Sequence, residues 1–396
     1  MIKPAIVAVG YNRPMSMKRL LASICVASYP VKDITLIISI DESSKSDEIQ
    51  NIAEKVQWNY GEKIIRRFSK RQGLRNHVLK CGDLSQEYGA VIVLEDDLIV
   101  SNSYYYFVYE AVNYYKNEKN IAGISLYSHA WNGYALCHFS PQKSPYDTYL
   151  GKYSISWGQC WLKDRWADFR KWYTLHEDKL PLTNNRMPEN ISHWNKHSWG
   201  KYFATYVVEK DIYYVIPYDS MSTNFSEIGE HNKVMNTAHQ VSLLEGVKKT
   251  YVFPPYQEAV KYDIFFERIF DVVNGINGDE ICVDINGLKR TTNNKKYILT
   301  TKKLPYKKIA SFGMIMRPVD LNIIHLVSGN DIYLYQCNSN DNIPICCYSK
   351  SRKEYETYDI SWKILLEIGI KRFYESLGNH IRLIFKNIFI NKGKKI

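Results

Sequence analysis

Residues 91–100 read VIVLEDDLIV, an apolar run broken by Glu95, Asp96 and Asp97. Three adjacent carboxylates repel one another and are costly to take out of water unpaired. A divalent cation is one partner able to cancel that charge. Mg2+ and Mn2+ take oxygen ligands and commonly use one or two carboxylates together with substrate phosphate oxygens. The plainer alternative is that Asp96 and Asp97 only precede and cap a helix starting near Ser101. Asp41 follows a second apolar run, residues 35–40. Its carboxylate can accept from a uracil imide or a ribose, or merely start a turn. Arg13, in GYNRP (10–14), can meet a phosphate bidentately. Arg75 and Asn76 can do similar work at the start of a predicted helix.

Histidine is sparse, with ten in the chain. A lone histidine is more often structural than catalytic, but two have context. His197 sits in the tryptophan-rich SHWNKHSWGKY (192–202), and His231 in the glycine-containing TNFSEIGEHN (223–232), where a metal-ligand role is open. Trp157, Trp161 and Trp199 carry faces that suit a pyranose ring, against the commoner alternative of core packing.

The elements that must position these groups alternate. Strand signals at 5–9, 35–40, 63–68 and 90–94 are separated by helical spacing at 15–27, 44–56 and 73–84, and a helix over 102–116 follows. A βαβαβαβ order implies a parallel, doubly wound sheet with helices on both faces. Ligands of such sheets gather at the carboxyl ends of the strands. GYNRP, Asp41 and the acidic triplet are all strand tails, so all are expected on one rim. Short strands separated by turn signals predict a small β-rich region after about residue 250. The end, residues 379–396, carries five positive charges and no acid on an apolar stretch. Such a segment suits the interface of an anionic membrane or, equally, a packed terminal helix with a solvated basic end.

A chain of 396 residues is long enough for one large or two smaller domains. Apolar residues at 45% and charged ones at 23% are those of a soluble globular protein. The 32 tyrosines, with abundant Asn, Ile and Lys, are read as the mark of an AT-rich genome. The net charge of +11 points to an anionic partner, without any zinc-finger, RNA-binding or basic-heptad signature for nucleic acid. Eight scattered cysteines without CxxC pairs argue against structural zinc and a disulfide framework, and fit a reducing cytoplasm. The apolar run at 5–9 is too short for a signal peptide, and no stretch predicts a membrane span. GxSxG, Walker A, HExxH and GxGxxG after the first strand are all missing, which removes hydrolase, P-loop, zincin and dinucleotide readings.

AIVAVGYNRP, LIISIDES and VIVLEDDLIVSNSYYYF resemble the start of GT-A fold glycosyltransferases. The likeness is to the N-acetylglucosaminyltransferase I-like group and to family 2-like bacterial transferases of capsule and lipopolysaccharide loci. SISWGQCWLKDRWADF is similar to the segment shaping their acceptor and sugar pocket, and STNFSEIGEHN to a loop ordering over bound donor. FFERIF and ICVDINGLKR resemble the trailing part of the bacterial relatives. The resemblance implies a GT-A domain over 1–245, with a nucleotide-binding half (1–100) and an acceptor half (120–245). A small α+β region (246–378) and the basic tail (379–396) would follow. It implies Asp97 as ligand of Mn2+ or Mg2+, Asp96 and Glu95 as nucleotide-sugar contacts, Asp41 as the uracil reader and Arg13 as the N-terminal basic contact.

The group's Asp base is missing from WNKHSWGKY, where His197 takes its place; Glu189, Glu227 and Glu230 are the alternatives. The expectation is a metal-dependent, inverting transferase moving a hexosyl or N-acetylhexosaminyl group from a UDP-sugar. The acceptor would be a glycan or lipid-linked, in bacterial surface polysaccharide synthesis at the inner face of the plasma membrane. The rivals are a nucleotidyl- or phosphotransferase and a degenerate, non-catalytic relative that binds glycan or membrane.

Overall fold

The computed structural model describes residues 1–153, 156–177, 180, 186–195, 197–225, 227, 237–337, 355–356, 361, 363–374 and 377–378. The first hundred residues form β1 (Ala5–Gly10), α1 (Pro14–Val26), β2 (Leu36–Ile40), α2 (Ser46–Lys55), β3 (Lys63–Arg67), α3 (Leu74–Gly82), the single turn α4 (Ser85–Tyr88) and β4 (Ala90–Glu95). These four strands are parallel and lie in the order β3-β2-β1-β4. The chain thus winds outward from β1 through β2 to β3, then crosses back to place β4 on β1's other side. That reversal is where an open α/β sheet binds its ligands. Pairing of Val9 with both Ser39 and Glu95 fixes the register. Tyr11, Asp41 and Asp97 each stand two residues further on, so the three tails meet on one rim.

Burial explains why these runs become strands. Ile6, Ala8, Ile92 and Leu94 pack into one core layer, while Val7, Val9, Val91 and Val93 pack into a second on the opposite face. A strand covered on both faces reads as a continuous apolar run. α1, α2 and α5 (Tyr104–Tyr115) supply the first layer. α3, α6 (Lys163–His176) and α7 (Gly200–Glu209) supply the second. The helix expected over 102–116 is α5, but β5 (Leu98–Val100) and the helix's N-cap Ser103 stand between it and the acidic residues, which therefore do not cap it. The acidic residues form a turn into β5, and α5 starts only at Tyr104.

The sheet grows beyond the expected parallel set. β6 (Ile121–Ser125), β9 (Thr148–Gly151), β10 (Gln159–Leu162), β11 (Tyr213–Pro217), β13 (Lys261–Tyr262) and β14 (Arg268–Ile269) extend it to ten strands. The full order is β14-β13-β9-β11-β6-β10-β4-β1-β2-β3, and five of its nine neighbouring pairs run parallel. β7 (Trp131–Asn132) pairs with β8 (Cys137–His138), and β12 (Ser222–Asn224) pairs with β5. The expected α/β architecture with a mostly parallel central sheet is therefore present, with antiparallel strands inserted on β4's far side.

A hairpin, β15 (Val272–Val273) and β16 (Ile276–Asn277), precedes a separate four-stranded sheet. Its strands β17 (Ile281–Asp284), β18 (Tyr297–Thr300), β19 (Lys307–Phe312) and β20 (Ile332–Gln336) lie in the order β17-β18-β20-β19, with the short helix α8 (Asp320–Ile324) between β19 and β20. Its buried ion pair, Lys302 to Asp284 at 2.7 Å, is closed by the Lys289 backbone N–H on the same carboxylate. Residues Met1–Cys347 make one compact unit, and Tyr348–Ile396 a second. In the second unit residues 363–374 are helical, and the basic tail 379–396 lies outside the described residues. Among the described residues no helix is long and apolar enough to cross a membrane.

One close approach sets the packing of α3 on α6. A Cβ at Gly82 would stand 2.1 Å from the ring of Trp166, which is buried and held by its indole N–H on Asp83. A rigid, anchored indole cannot step aside. Gly82→Ala is expected to lose about 2–3 kcal/mol of stability, read by urea unfolding. A change under about 0.5 kcal/mol would refute this packing.

Candidate active site

Arg13 is the last residue before α1, and Pro14 occupies the first helical position, where a missing N–H costs nothing. Arg13 caps with its backbone only, Met17 N–H donating to its carbonyl at 3.0 Å. Its guanidinium is left to cross to the end of β4, where it ion-pairs with Asp96 and reaches Asp97 at 3.4 Å. Asp96 also accepts from the backbone N–H of Tyr11. Burial opposes the Arg13 charge, but Asp96 and Asp97 outweigh it and hold the group more firmly protonated.

One guanidinium does not balance three carboxylates. Burial raises the Asp96 carboxyl to about 6 despite its pairing with Arg13. Burial, then the neighbouring Asp97 and Asp96, drive Glu95 well above the usual range, although the Trp199 indole donates to it. Asp97 keeps a side chain that is 26% exposed. The site thus resists holding all three carboxylates ionised at once without a further cation, and its most open member is Asp97. Among the described residues no group of three or more His, Cys, Asp or Glu is arranged to hold a metal. The set fits a hard cation in the other mode, in which one or two carboxylates share the ion with substrate oxygens. Asp97, with Asp96 behind it, would hold it.

Asp41 is 2% exposed and serves as an anchor. One carboxylate oxygen accepts from Gln72 N–H at 2.7 Å and Glu42 N–H at 2.9 Å; the other accepts from Gly73 N–H at 2.9 Å. Gly73 has φ +75°, which lets two successive N–H groups converge on one carboxylate. A carboxylate offers about four acceptor sites, so one is left over for a ligand. The turn it anchors brings Arg71 over the ring of Tyr11, 4.8 Å from its centre. Arg13, Asp41, Tyr11, Arg71, Asp96 and Asp97 line one cleft. Burial holds His77, also on its wall, well below the usual histidine value and therefore neutral.

Past β12, Glu227 joins the cleft wall. Phe225 N–H donates to the Asp97 carbonyl at 2.8 Å, and Arg19 of α1 stacks 3.7 Å from the Phe225 ring centre. Glu227 accepts from Ser16 at 2.6 Å and ion-pairs with Arg19 at 2.8 Å; these contacts, Arg19 foremost, hold its carboxyl below the usual range. β12 is tied in the other direction as well, Ser222 Oγ donating to the Trp157 carbonyl at 2.5 Å.

A second cavity of about 720 Å³ opens beside the first, and Leu74, Glu95 and Asp97 line both. Trp157 and Trp199 are on its wall. Trp161 is not. In β10, Gln159 and Trp161 share a face, and Trp161 is fully buried against Trp166, its indole donating to Tyr214 at 3.0 Å. Arg75 also lies elsewhere than expected, donating to the Tyr202 hydroxyl at 2.9 Å; Arg71, with Arg13, is on the cleft wall instead. His197 is exposed and lines neither cavity, and Glu189 is exposed and paired with Arg290. Glu230 and His231 lie outside the described residues. Sequence reasoning missed Tyr11 and Arg71, though GYNRP flagged the loop that holds Tyr11. It also missed Trp131 and His129, which carry no spacing signal, and Trp194, which stands in the tryptophan-rich stretch 192–202.

No family model matches the chain, and no curated protein does. Among solved structures, the chain is similar to the fragment 1–349 of TarS from S. aureus, with 14% identity and a TM-score of 0.35 over 55% of this chain and 59% of that one. It is similar to GalNAc-T7 with UDP, GalNAc and Mn2+, with 11% identity and a TM-score of 0.36 over 55% and 43%. It is similar also to the mannosyltransferase PcManGT from Pyrobaculum calidifontis in complex with GDP-Man and Mn2+, with 10% identity and a TM-score of 0.30 over 41% and 45%. The chain thus spans less than two thirds of the length of each, and each is a likeness of part of the chain.

Proposed function

We propose that this chain is a glycosyltransferase that takes a hexosyl or N-acetylhexosaminyl group from a uridine nucleotide sugar. One observation carries the reading. The register of β1, β2 and β4 gathers Arg13, Asp41 and Asp97 around a single cleft at the strand-order reversal, and a second, aromatic cavity meets that cleft at Asp97. Tyr11 offers a face for a base, Asp41 a spare acceptor for an imide N–H, and Arg71 and Arg13 offer positive charge to a diphosphate. A bound Mn2+ or Mg2+ would supply charge neutralisation of the departing diphosphate. Arg13 orients the carboxylates, and Glu227, held by Ser16 and Arg19, stands in the cleft wall. Glu95 and Asp97 are the only carboxylates among the described residues of the second cavity, and both stand at its donor end. Inversion at the anomeric carbon is part of this reading and is tested by the anomeric configuration of the product.

The test is a panel of UDP- and GDP-sugars assayed for Mn2+-dependent release of nucleoside diphosphate. Turnover of a UDP-sugar is expected. Turnover of a nucleoside triphosphate without sugar release would make the chain a nucleotidyl- or phosphotransferase instead. No release from any sugar nucleotide would leave a binding protein. Glu227→Gln is expected to raise the donor KM about fivefold, because a partly exposed ion pair is worth about 1 kcal/mol at most. An unchanged KM would mean that Glu227 plays no part in donor binding.

We further place the acceptor at an anionic membrane surface, in bacterial surface polysaccharide synthesis. The helical residues 363–374 expose Ile364, Leu366 and Phe373 with Lys371 and Arg372 among them, a composition suited to a bilayer interface. Cosedimentation of the full chain with phosphatidylglycerol vesicles, lost in Lys371→Glu/Arg372→Glu, is the expected result.

A further inference from the structure

The second cavity holds two histidines that the donor chemistry does not use. His129 follows β6, and His239 follows β12, 110 positions later in the chain; both line the cavity together with Trp157. Their ring centres lie 6.1 Å and 5.1 Å from that indole. In each, Nδ1 is buried and has no hydrogen-bond partner among the described residues. His129 is only 9% exposed. A buried polar atom without a partner asks for an explanation, and in a cavity wall a ligand supplies one. Burial, and for His129 the neighbouring His239, pull both imidazoles down, His129 to about 3. Both rings are therefore neutral near pH 7, with one nitrogen to donate and one to accept. That is the complement of a hydroxyl, which needs both.

The rest of the wall narrows the ligand class. Trp131, Tyr134, Trp194 and Phe266 join Trp157 and Trp199 in an aromatic lining, with Asn190, Asn195 and Ser198 as uncharged polar groups. No lysine or arginine lines the cavity among the described residues, and its acidic groups, Glu95 and Asp97, are the two it shares with the donor cleft. A phosphate or carboxylate entering here would find no lysine or arginine among the described wall residues to pair with. The apolar faces of an uncharged pyranose would meet aromatic rings, and its hydroxyls the two imidazoles and the amides.

We propose that this cavity is the acceptor subsite for an uncharged pyranoside, whose hydroxyls are hydrogen-bonded by His129 and His239. The proposal rests on the glycosyltransferase reading for the word acceptor, and its binding test does not. Four of the nine tryptophans stand in the wall, so intrinsic fluorescence reports occupancy with no donor present. The full chain is titrated with methyl glycosides of glucose, galactose and N-acetylglucosamine, and in parallel with methyl glucuronide and glycerol phosphate. A saturable change is expected with at least one neutral glycoside, weakened tenfold or more in His129→Ala. His129 is buried, so Trp131→Ala, at a half-buried position, is the second variant and is expected to weaken binding likewise. The same glycoside is expected to speed Mn2+-dependent UDP release.

No saturable response to any neutral glycoside, or a stronger response to either anion, would overturn the proposal. So would wild-type affinity in both variants. A neutral glycoside that binds while no sugar nucleotide is turned over would sink the transferase reading and keep the binding site. Donor hydrolysis that no neutral glycoside accelerates, with no fluorescence response, would do the reverse.

Discussion

Asp97→Ala is expected to reduce metal-dependent sugar-nucleotide turnover by about 10³-fold, the order seen when a charge-stabilising group is removed from an active site. Of the three acidic residues only Asp97 has a carboxylate open to both cavities and held by no short contact; Arg13 lies 3.4 Å away. Asp96 is committed to Arg13 and the Tyr11 N–H, and Glu95 to the Trp199 indole. The fold should respond in the opposite sense. Asp97 raises the carboxyl groups of both neighbours by repulsion, so its removal relieves them and stability measured by urea unfolding should hold or rise. Activity lost at equal or higher stability is the signature of a residue kept for chemistry. Full activity in the variant would remove the metal assignment, and loss of activity together with stability would make Asp97 a structural residue.

Asp41→Asn is expected to cost about 2–4 kcal/mol of stability. Its carboxylate accepts three backbone N–H groups while 2% exposed. An amide presents one oxygen and one NH2, so at least one N–H of Glu42, Gln72 or Gly73 must face another donor with no water to take over. The turn carrying Arg71 then loses its anchor, and the KM for a UDP-sugar should rise in the surviving folded fraction. Urea unfolding of the variant with an unchanged m-value measures the first effect. A stability within about 0.5 kcal/mol of wild type would mean that the turn is held by something other than Asp41.

The nucleotide half of the fold was legible because its physics is local. Residues 5–10, 36–40 and 90–94 are buried on both faces, read as mainly apolar runs and lead into residues that would be out of place inside a sheet. Placing those ends on one rim needed only the βαβ order. β9, β10, β11, β13 and β14 were illegible as members of the same sheet, since strands of two to five residues are specified by distant partners rather than by their own pattern. Side-chain direction was lost at two places for a related reason. In β10 a step of one residue turns a side chain to the other face, so Trp161 went to the core. Past Gly73, with its positive φ, the chain turns into α3, which sends Arg75 to Tyr202 and leaves Arg71 on the cleft. His129 and His239 are brought together only by the completed sheet. A lone histidine carries no spacing that could announce the other.

The three-residue pairing of β5 with β12 has a kinetic consequence. One end of that ladder carries the Asp97 carbonyl bonded to Phe225, and its partner strand holds the Trp157 backbone through Ser222. A shift in the wall of the second cavity therefore reaches the acidic turn through hydrogen bonds, and the reverse holds equally, since coupling between two binding events is reciprocal. Occupancy of the two chambers should not be statistically independent. Initial-rate plots at varied donor and acceptor would then show a sequential scheme with a preferred order of addition, and Ser222→Ala would loosen that order without touching either substrate.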